Sequence, residues 1–462
     1  MRLRKEYLIG DASFYKKVFW VTTPIIIQNT ITHVVNLLDN VMVGRLGTIQ
    51  MSSVAIVNQL IFIFNLCIFG GLAAPGIFAV QFAGAKDDEG LRHCFRLKMI
   101  IASVIFLIVG ILLGLFPEKL VGLYIADGTS PKDTAATINY ALTYTKIMIA
   151  SLLPYSISQV YAGSLRESGE TKLPMYASSC AIFINLLFNY FLIFGKFGFP
   201  CLGVRGAAIA TVFSRFAELF ILLFFTYKKT DTFRFIKGVY KSFYIPLELC
   251  KKVMKKGAPL LLNEFLWSLA LAFFLQCYSS RGLLCVAAAN IASATQSIFN
   301  VVLIALGTSL AILVGQCLGA NEIERAKKTV WRISTLSVVI CIILGAVLAL
   351  MSRVIPLAYN TEDEVRKIAS SFIISIALIL PFDAFAHIAY YTVRSGGKTA
   401  LTCFLDSGLM WICGAPVAYF LANYTSINVA VVFFLARSVD IVKTIIGAIL
   451  LRRGVWISNI VK

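Results

Sequence analysis

The feature that most constrains this chain is a succession of apolar runs, each close to the length of a membrane crossing and separated by polar segments. They lie near 18–43, 54–80, 97–116, 136–162, 174–195, 206–226, 257–280, 286–316, 331–352, 368–392, 400–421 and 427–450. A helix rises about 1.5 Å per residue, so about 20 apolar residues cross the hydrocarbon of a bilayer. Backbone polar groups find no water there, and a helix satisfies them internally. The runs therefore predict an all-α polytopic membrane protein with twelve transmembrane helices. Composition agrees, because 59% of the 462 residues are hydrophobic and only 14% are charged, against about a quarter charged in soluble domains.

The net charge of +19 would suit nucleic acid if it formed one patch. Instead the basic residues alternate between connections. One set holds Lys16 and Lys17, then Lys86, Arg92 and Arg96, then Arg166 and Lys172, then nine Lys and Arg residues between 227 and 256. It continues with Arg325, Lys327 and Lys328, with Arg394 and Lys398, and with Arg452 and Arg453. The other set is poorer in Lys and Arg and includes the acidic Glu362-Asp363-Glu364. Basic loops face the cytoplasm and anionic lipid. This places both termini inside, with membrane lipid and not nucleic acid as the partner. The basic start, Met1-Arg2-Leu3-Arg4-Lys5, has no cleavage site after its apolar run and is read as a cytoplasmic tail.

The basic stretch 227–256 divides the chain into 1–226 and 257–462, six runs each. A shift of 235 residues aligns Pro24 with Pro259, Gly47 with Gly282, and Phe64-Asn65 with Phe299-Asn300. It also aligns Gln81, Gly84 and Ala85 with Gln316, Gly319 and Ala320. Both halves keep the same charge orientation, so the repeat is parallel and predicts two pseudo-symmetric six-helix bundles around a shared cavity.

Polar residues inside the runs are the candidates for function, because an ionised carboxylate at the bilayer centre costs at least about 2.5–3.5 kcal/mol. Asp39 lies in the outer part of the first run, Glu264 in the seventh and Asp383 in the tenth. Glu264 falls on the repeat position of Asn29, so the acids of the halves are not equivalent. His387 follows Asp383 by one turn on the same face and is a candidate proton relay. Asn185 and Asn189 share a face of the fifth run and suit a polar cavity wall or interhelical hydrogen bonding. Arg215 with Glu218, and Arg437 with Asp440 and Lys443, read as locally neutralised pairs and packing. Eleven scattered Cys without a CxxC, and three His, predict neither disulfides nor a metal site. There is no Walker motif to couple ATP, and no nucleophile–base arrangement, so no catalytic residue is assigned.

Several motifs together resemble the MATE family of multidrug and toxic compound extrusion transporters, in its NorM-like bacterial branch. They are Asn36-Leu-Leu-Asp39-Asn-Val-Met-Val-Gly44-Arg-Leu-Gly47, Gln81-Phe-Ala-Gly84-Ala85, Arg166-Glu-Ser-Gly169-Glu-Thr171, Gly203-Val-Arg-Gly206-Ala-Ala-Ile-Ala-Thr211 and Gln316-Cys-Leu-Gly319-Ala320. The resemblance covers nearly the whole chain. It implies twelve helices in two six-helix bundles and alternating access driven by Na+ or H+, with no organic cofactor. It makes Asp39 the acid of the first half, with Tyr144, Asn185, Asn189 and Thr211 in the polar cavity beside it. Some members carry a second Asp where this chain has Asn189, so the site is expected to hold one carboxylate. Glu264 and Asp383 resemble the acids of the second half. The expected protein is a monomeric exporter of small organic cations in the bacterial inner membrane. The competing readings are a flippase for lipid-linked oligosaccharides from the wider superfamily and a membrane-embedded lipid-modifying enzyme.

Overall fold

The computed structural model describes residues 5–125 and 130–462; the side chains of Lys5, Asn36 and Leu37 lie outside the described residues. Each apolar run forms a long helix. These are α1 (Ala12–Gly44), α2 (Thr48–Ala85), α3 (Asp88–Leu115), α4 (Pro131–Glu167), α5 (Lys172–Phe194) and α6 (Val204–Lys228). The second half gives α7 (Leu247–Ser279), α8 (Leu283–Gly319), α9 (Ile323–Met351), α10 (Asp363–Ser395) and α11 (Thr399–Tyr424). The twelfth, α12, has two segments, Val429–Arg437 and Val439–Arg453. No strand occurs among the described residues.

Ten of these helices are long and apolar enough to cross a membrane by themselves. The exceptions, α4 and α12, carry the reason in their sequences. The helix α4 is rich in Ser, Thr and Tyr, and α12 is interrupted at Ser438 beside Arg437, Asp440 and Lys443. Such helices enter a bilayer with partners that cover their polar groups.

The chain forms two compact units. The first comprises Met1–Ile26, Val80–Lys86 and Lys251–Lys462, and the second Ile27–Ala79 and Asp87–Cys250. Helices α1 and α2 thus contribute to both. The change of unit falls shortly after Pro24 in α1 and Pro75 in α2. Proline removes one backbone hydrogen bond at such a point.

In the second unit α5 and α6 form a tight hairpin. Gly195, in the left-handed region at φ 64°, ends α5, and Gly206 of α6 lies against the backbone of Leu192. The basic stretch after α6 does not hang free. Arg96 of α3 donates to the carbonyls of Val239, Tyr244 and Gly238 at 2.7, 3.1 and 3.3 Å, and Arg92 to that of Phe235 at 3.2 Å. Within α3, Lys98 pairs with Glu167 of α4 and is itself buried.

In the first unit α8 and α10 form the centre of a core that includes Leu310, Val314, Val330, Ile333, Ala389 and Val393. The end of α2 belongs to it. Gly84 abuts the backbone of Gln316, and Gly319 abuts the backbone of Gln81, with no room for a side chain at either place. The two copies of the Gln-x-x-Gly-Ala motif therefore cross each other at their glycines. Gln81 is fully buried and holds the chain's last segment: it donates to Ser395 and Ser458 carbonyls at 2.9 and 3.2 Å and accepts from the Ile460 amide at 2.9 Å.

Backbone conformation repeats with the sequence. Gly47 and Gly282, 235 positions apart, adopt φ of 130° and 108°; Lys86 and Asn321, also 235 apart, adopt 58° and 62°. A left-handed non-glycine residue is uncommon, so its recurrence at one repeat position marks an inherited turn.

The glycine crossing makes a direct prediction. Alanine normally stabilises a helix by about 0.5–1 kcal/mol over glycine. Gly114→Ala, with open space around it, should leave the melting temperature of the detergent-solubilised protein level or raised. Gly84→Ala and Gly319→Ala should each lower it by several degrees, at an overpacking cost of about 1–3 kcal/mol.

Candidate cation-binding sites

In the second unit α1 and α5 run parallel and meet through polar side chains. Asp39 on α1 accepts a hydrogen bond from Asn189 Nδ2 on α5 at 2.6 Å. Asn185 precedes Asn189 by one turn and faces the same side. With its amide nitrogen turned toward α1, Asn185 donates to Asp39 Oδ1 and Oδ2 at 3.1 and 3.0 Å. With the amide reversed, it donates to Thr211 Oγ1 on α6 at 3.3 Å. The first orientation gives the carboxylate the donors it needs. Tyr144 from α4 is buried beside Asp39 and Thr211.

These five residues, expected together from the sequence, do assemble around one carboxylate. One atom stands out among them. Asn189 Oδ1 is buried and has no hydrogen-bond partner among the described residues. A bare amide oxygen next to a carboxylate, with Tyr and Thr hydroxyls close by, is an acceptor-rich site that suits a hard cation or a proton donor. His33, also on α1, is exposed and belongs to a different face.

The first unit holds a larger set of charges. His387 Nδ1 lies 2.9 Å from Asp383 Oδ1, within one turn of α10. Glu264 on α7 is half-buried, and its charged neighbours are Arg394 of α10 and Asp406 of α11. Those of Asp383 are the cations His387, Arg437 and Lys443 and the carboxylate of Asp440. The two acids therefore sit with different cations.

Asp406 was not among the residues singled out from the sequence. It accepts from Lys443 Nζ at 2.9 Å and from Asn263 Nδ2 at 3.1 Å. Its helix is locally widened by two π-helical turns, Phe404–Gly408 and Met410–Gly414. Such turns are rare and favour functional positions. Ser407 then donates to Asn263 Oδ1 at 2.7 Å, and Trp411 Nε1 to the Leu266 carbonyl at 2.9 Å, which staples α11 to α7. Lys443 was expected to be neutralised within α12. It does lie 3.6 Å from Asp440, but Asp406 on another helix is the nearer partner. A carboxylate inside an apolar run was the available signal for Asp406; its partner 37 residues away was not legible.

Known proteins can now be set beside this arrangement. The family model described as MatE matches residues 24–191 and again residues 259–420. The chain belongs to the MatE family. The matches start 235 residues apart, at Pro24 and Pro259, the offset of the internal repeat. The family is one of multidrug efflux transporters, not enzymes. Among relatives of this MatE protein, "Probable multidrug resistance protein YoeA" of Bacillus subtilis is 25% identical over 90% of this chain and 89% of its own length. "Probable multidrug resistance protein NorM" of Thermotoga maritima is 22% identical over 91% of this chain and 89% of its own. In structure, the Vibrio cholerae MATE transporter VcmN in its bent form superposes with a TM-score of 0.85 at 18% identity, over 98% of this chain and all of the other. That likeness establishes a fold of twelve helices in two bundles.

A separate buried carboxylate lies in the same unit, away from Asp39: Glu218 is 3.0 Å from Arg215. The expected pairing of Arg215 with Glu218 is present.

The charged set of this MatE protein is testable through its stability. Removing one partner of a buried ion pair costs about 3–5 kcal/mol, whereas replacing both with apolar or neutral groups is closer to neutral. Lys443→Met should therefore lower the melting temperature sharply, and Asp406→Asn/Lys443→Met should recover most of the loss.

Proposed function

We propose that this protein is a secondary active exporter that exchanges Na+ or H+ for small organic cations by alternating access. The observation that carries the reading is the Asp39 site, where a carboxylate in a membrane helix lies next to the unpartnered Asn189 Oδ1. Asn189 and Asn185 give Asp39 neutral donors, each bond worth about 0.6–2 kcal/mol in a membrane against the cost of the ionised acid, but they bring no counter-charge. A bound cation or a proton supplies that charge. Loading Asp39 in this way stabilises one conformation of α1, and cargo stabilises another; transport couples the two.

Glu264 and Asp383 form a second candidate coupling region, with His387 as the proton carrier beside Asp383. The Asp39 site, a carboxylate beside an unpartnered amide oxygen, favours cationic cargo over a pyrophosphate-linked lipid. The positive-inside pattern supports a cytoplasmic membrane with both termini in the cytoplasm.

The test is counterflow of a cationic dye in proteoliposomes, with Na+ and H+ gradients imposed separately. One of the two gradients should drive dye export in the wild type. Asp39→Asn should reduce gradient-driven export at least about tenfold, the effect of losing roughly 1.4 kcal/mol of coupling. Wild-type export by Asp39→Asn under both gradients overturns the assignment.

A further inference from the structure

The polar contacts of the second unit form a ladder with two rungs. On α1 and α5, Gln28 donates to Ser178 at 2.8 Å, and Asp39 accepts from Asn189 at 2.6 Å. Both pairs are separated by 150 positions, so the helices keep one register over three turns. On α5 and α6 the hairpin runs antiparallel. Moving seven residues back along α5, from Asn185 to Ser178, moves seven residues forward along α6, from Thr211 to Glu218. Ser178 Oγ donates to Glu218 Oε1 at 2.7 Å. The outer rung is thus Asp39, Asn189, Asn185 and Thr211, and the inner rung is Gln28, Ser178, Glu218 and Arg215.

On α6, Arg215 is one turn beyond Thr211 and one turn before Glu218. Its guanidinium donates to Glu218 Oε2 at 3.0 Å and packs over the Tyr155 ring at 4.8 Å. Its side chain remains about a third exposed, at 35%, while Glu218 is buried, so the arginine is the member of the pair with freedom to move. A flexible cation on the same stripe of α6 as Thr211 is within electrostatic reach of the Asp39 carboxylate.

We propose that Glu218 is a positioning residue for the Asp39 site: by holding Arg215 on the inner rung, it keeps the guanidinium from becoming the counter-ion of Asp39. A carboxylate with a fixed cation at hand has little need of a proton or Na+. The buried Glu218 therefore preserves the appetite of Asp39 for a mobile cation. The groups that face Asp39 are Tyr144 from α4, Asn185 and Asn189 from α5, and Thr211 and Arg215 from α6. Glu218 faces Ser178 of α5 and Tyr155 and Arg166 of α4, with Gln28 of α1 one hydrogen bond further on through Ser178. Arg215 is thus the cation on α6 with access to both carboxylates. With Glu218 neutral, Asp39 is the carboxylate of the ladder left to Arg215. This inference rests on Asp39 as the coupling carboxylate.

The experiment reads the charge of Asp39 directly. Dicyclohexylcarbodiimide modifies protonated carboxyl groups in apolar surroundings, and peptide mass spectrometry locates the adduct. The full chain in nanodiscs is labelled at a series of fixed pH values. Glu218→Gln should reduce labelling of Asp39 several-fold, Glu218→Asp should retain wild-type labelling, and Arg215→Ala/Glu218→Gln should restore it. Arg215→Ala alone should raise labelling, which keeps the test open if Glu218→Gln does not fold. Equal labelling of Asp39 in wild type and Glu218→Gln overturns the inference. So does reduced labelling that persists in the double variant, because the loss would then come from packing. The readout is independent of transport: normal export by Asp39→Asn would overturn the transport reading and leave the labelling result to decide this one.

Discussion

The Asp39–Asn189 hydrogen bond is the contact on which the second unit's design depends. A carboxylate in an apolar helix costs about 2.5–3.5 kcal/mol or more to insert, and one bond at 2.6 Å does not offset that. The surrounding sequence follows from the shortfall. Asn185 and Asn189 must share a face of α5, Thr211 must face them from α6, and Tyr144 must bury its hydroxyl nearby. The small residues Gly206, Ala207, Ala208 and Ala210 let α6 approach α5 closely enough for this to happen. Polar placement and close packing are therefore one requirement, not two.

The first unit solves the same problem with different chemistry. Its carboxylates are met by cations built into the chain: Asp383 by His387, Asp406 by Lys443. A mobile cation approaching Asp406 must compete with a tethered ammonium at 2.9 Å that is already desolvated. At the Asp39 site it meets an open amide oxygen instead. The two halves descend from one repeat, with shared left-handed turns at Lys86 and Asn321 and shared glycines at the helix crossing. They have kept the scaffold and diverged in how they neutralise charge.

What the sequence made legible follows the range of the interactions. Helices in a membrane are set by local composition, so all twelve were readable, as was the repeat that supplies Gly84 and Gly319 to the helix crossing. Asp383 with His387 and Arg215 with Glu218 were readable because a helix fixes their spacing. Asp406 was missed because its partners, Asn263 and Lys443, come from other helices and leave no periodic trace. The π-helical turns that present Asp406 have no sequence signature in a run of Phe, Leu, Met and Trp. The unit boundaries inside α1 and α2 were equally hidden, since a proline in a helix marks a weak point without saying which parts of the helix pack together.

The ladder between α1, α5 and α6 gives Glu218 a role that its reading as a local pair with Arg215 leaves out. An isolated acid in an apolar run invites explanation, whereas an acid three residues from an arginine explains itself as a pair. Yet pairing does not exhaust what a buried carboxylate does. Glu218 uses one oxygen for Arg215 and the other for Ser178, and Ser178 in turn receives Gln28. Each oxygen thus serves a different helix. The one bound to arginine holds that cation on α6, and the one bound to Ser178 links α6 through Ser178 to Gln28 of α1. Loss of the carboxylate would release both contacts at once.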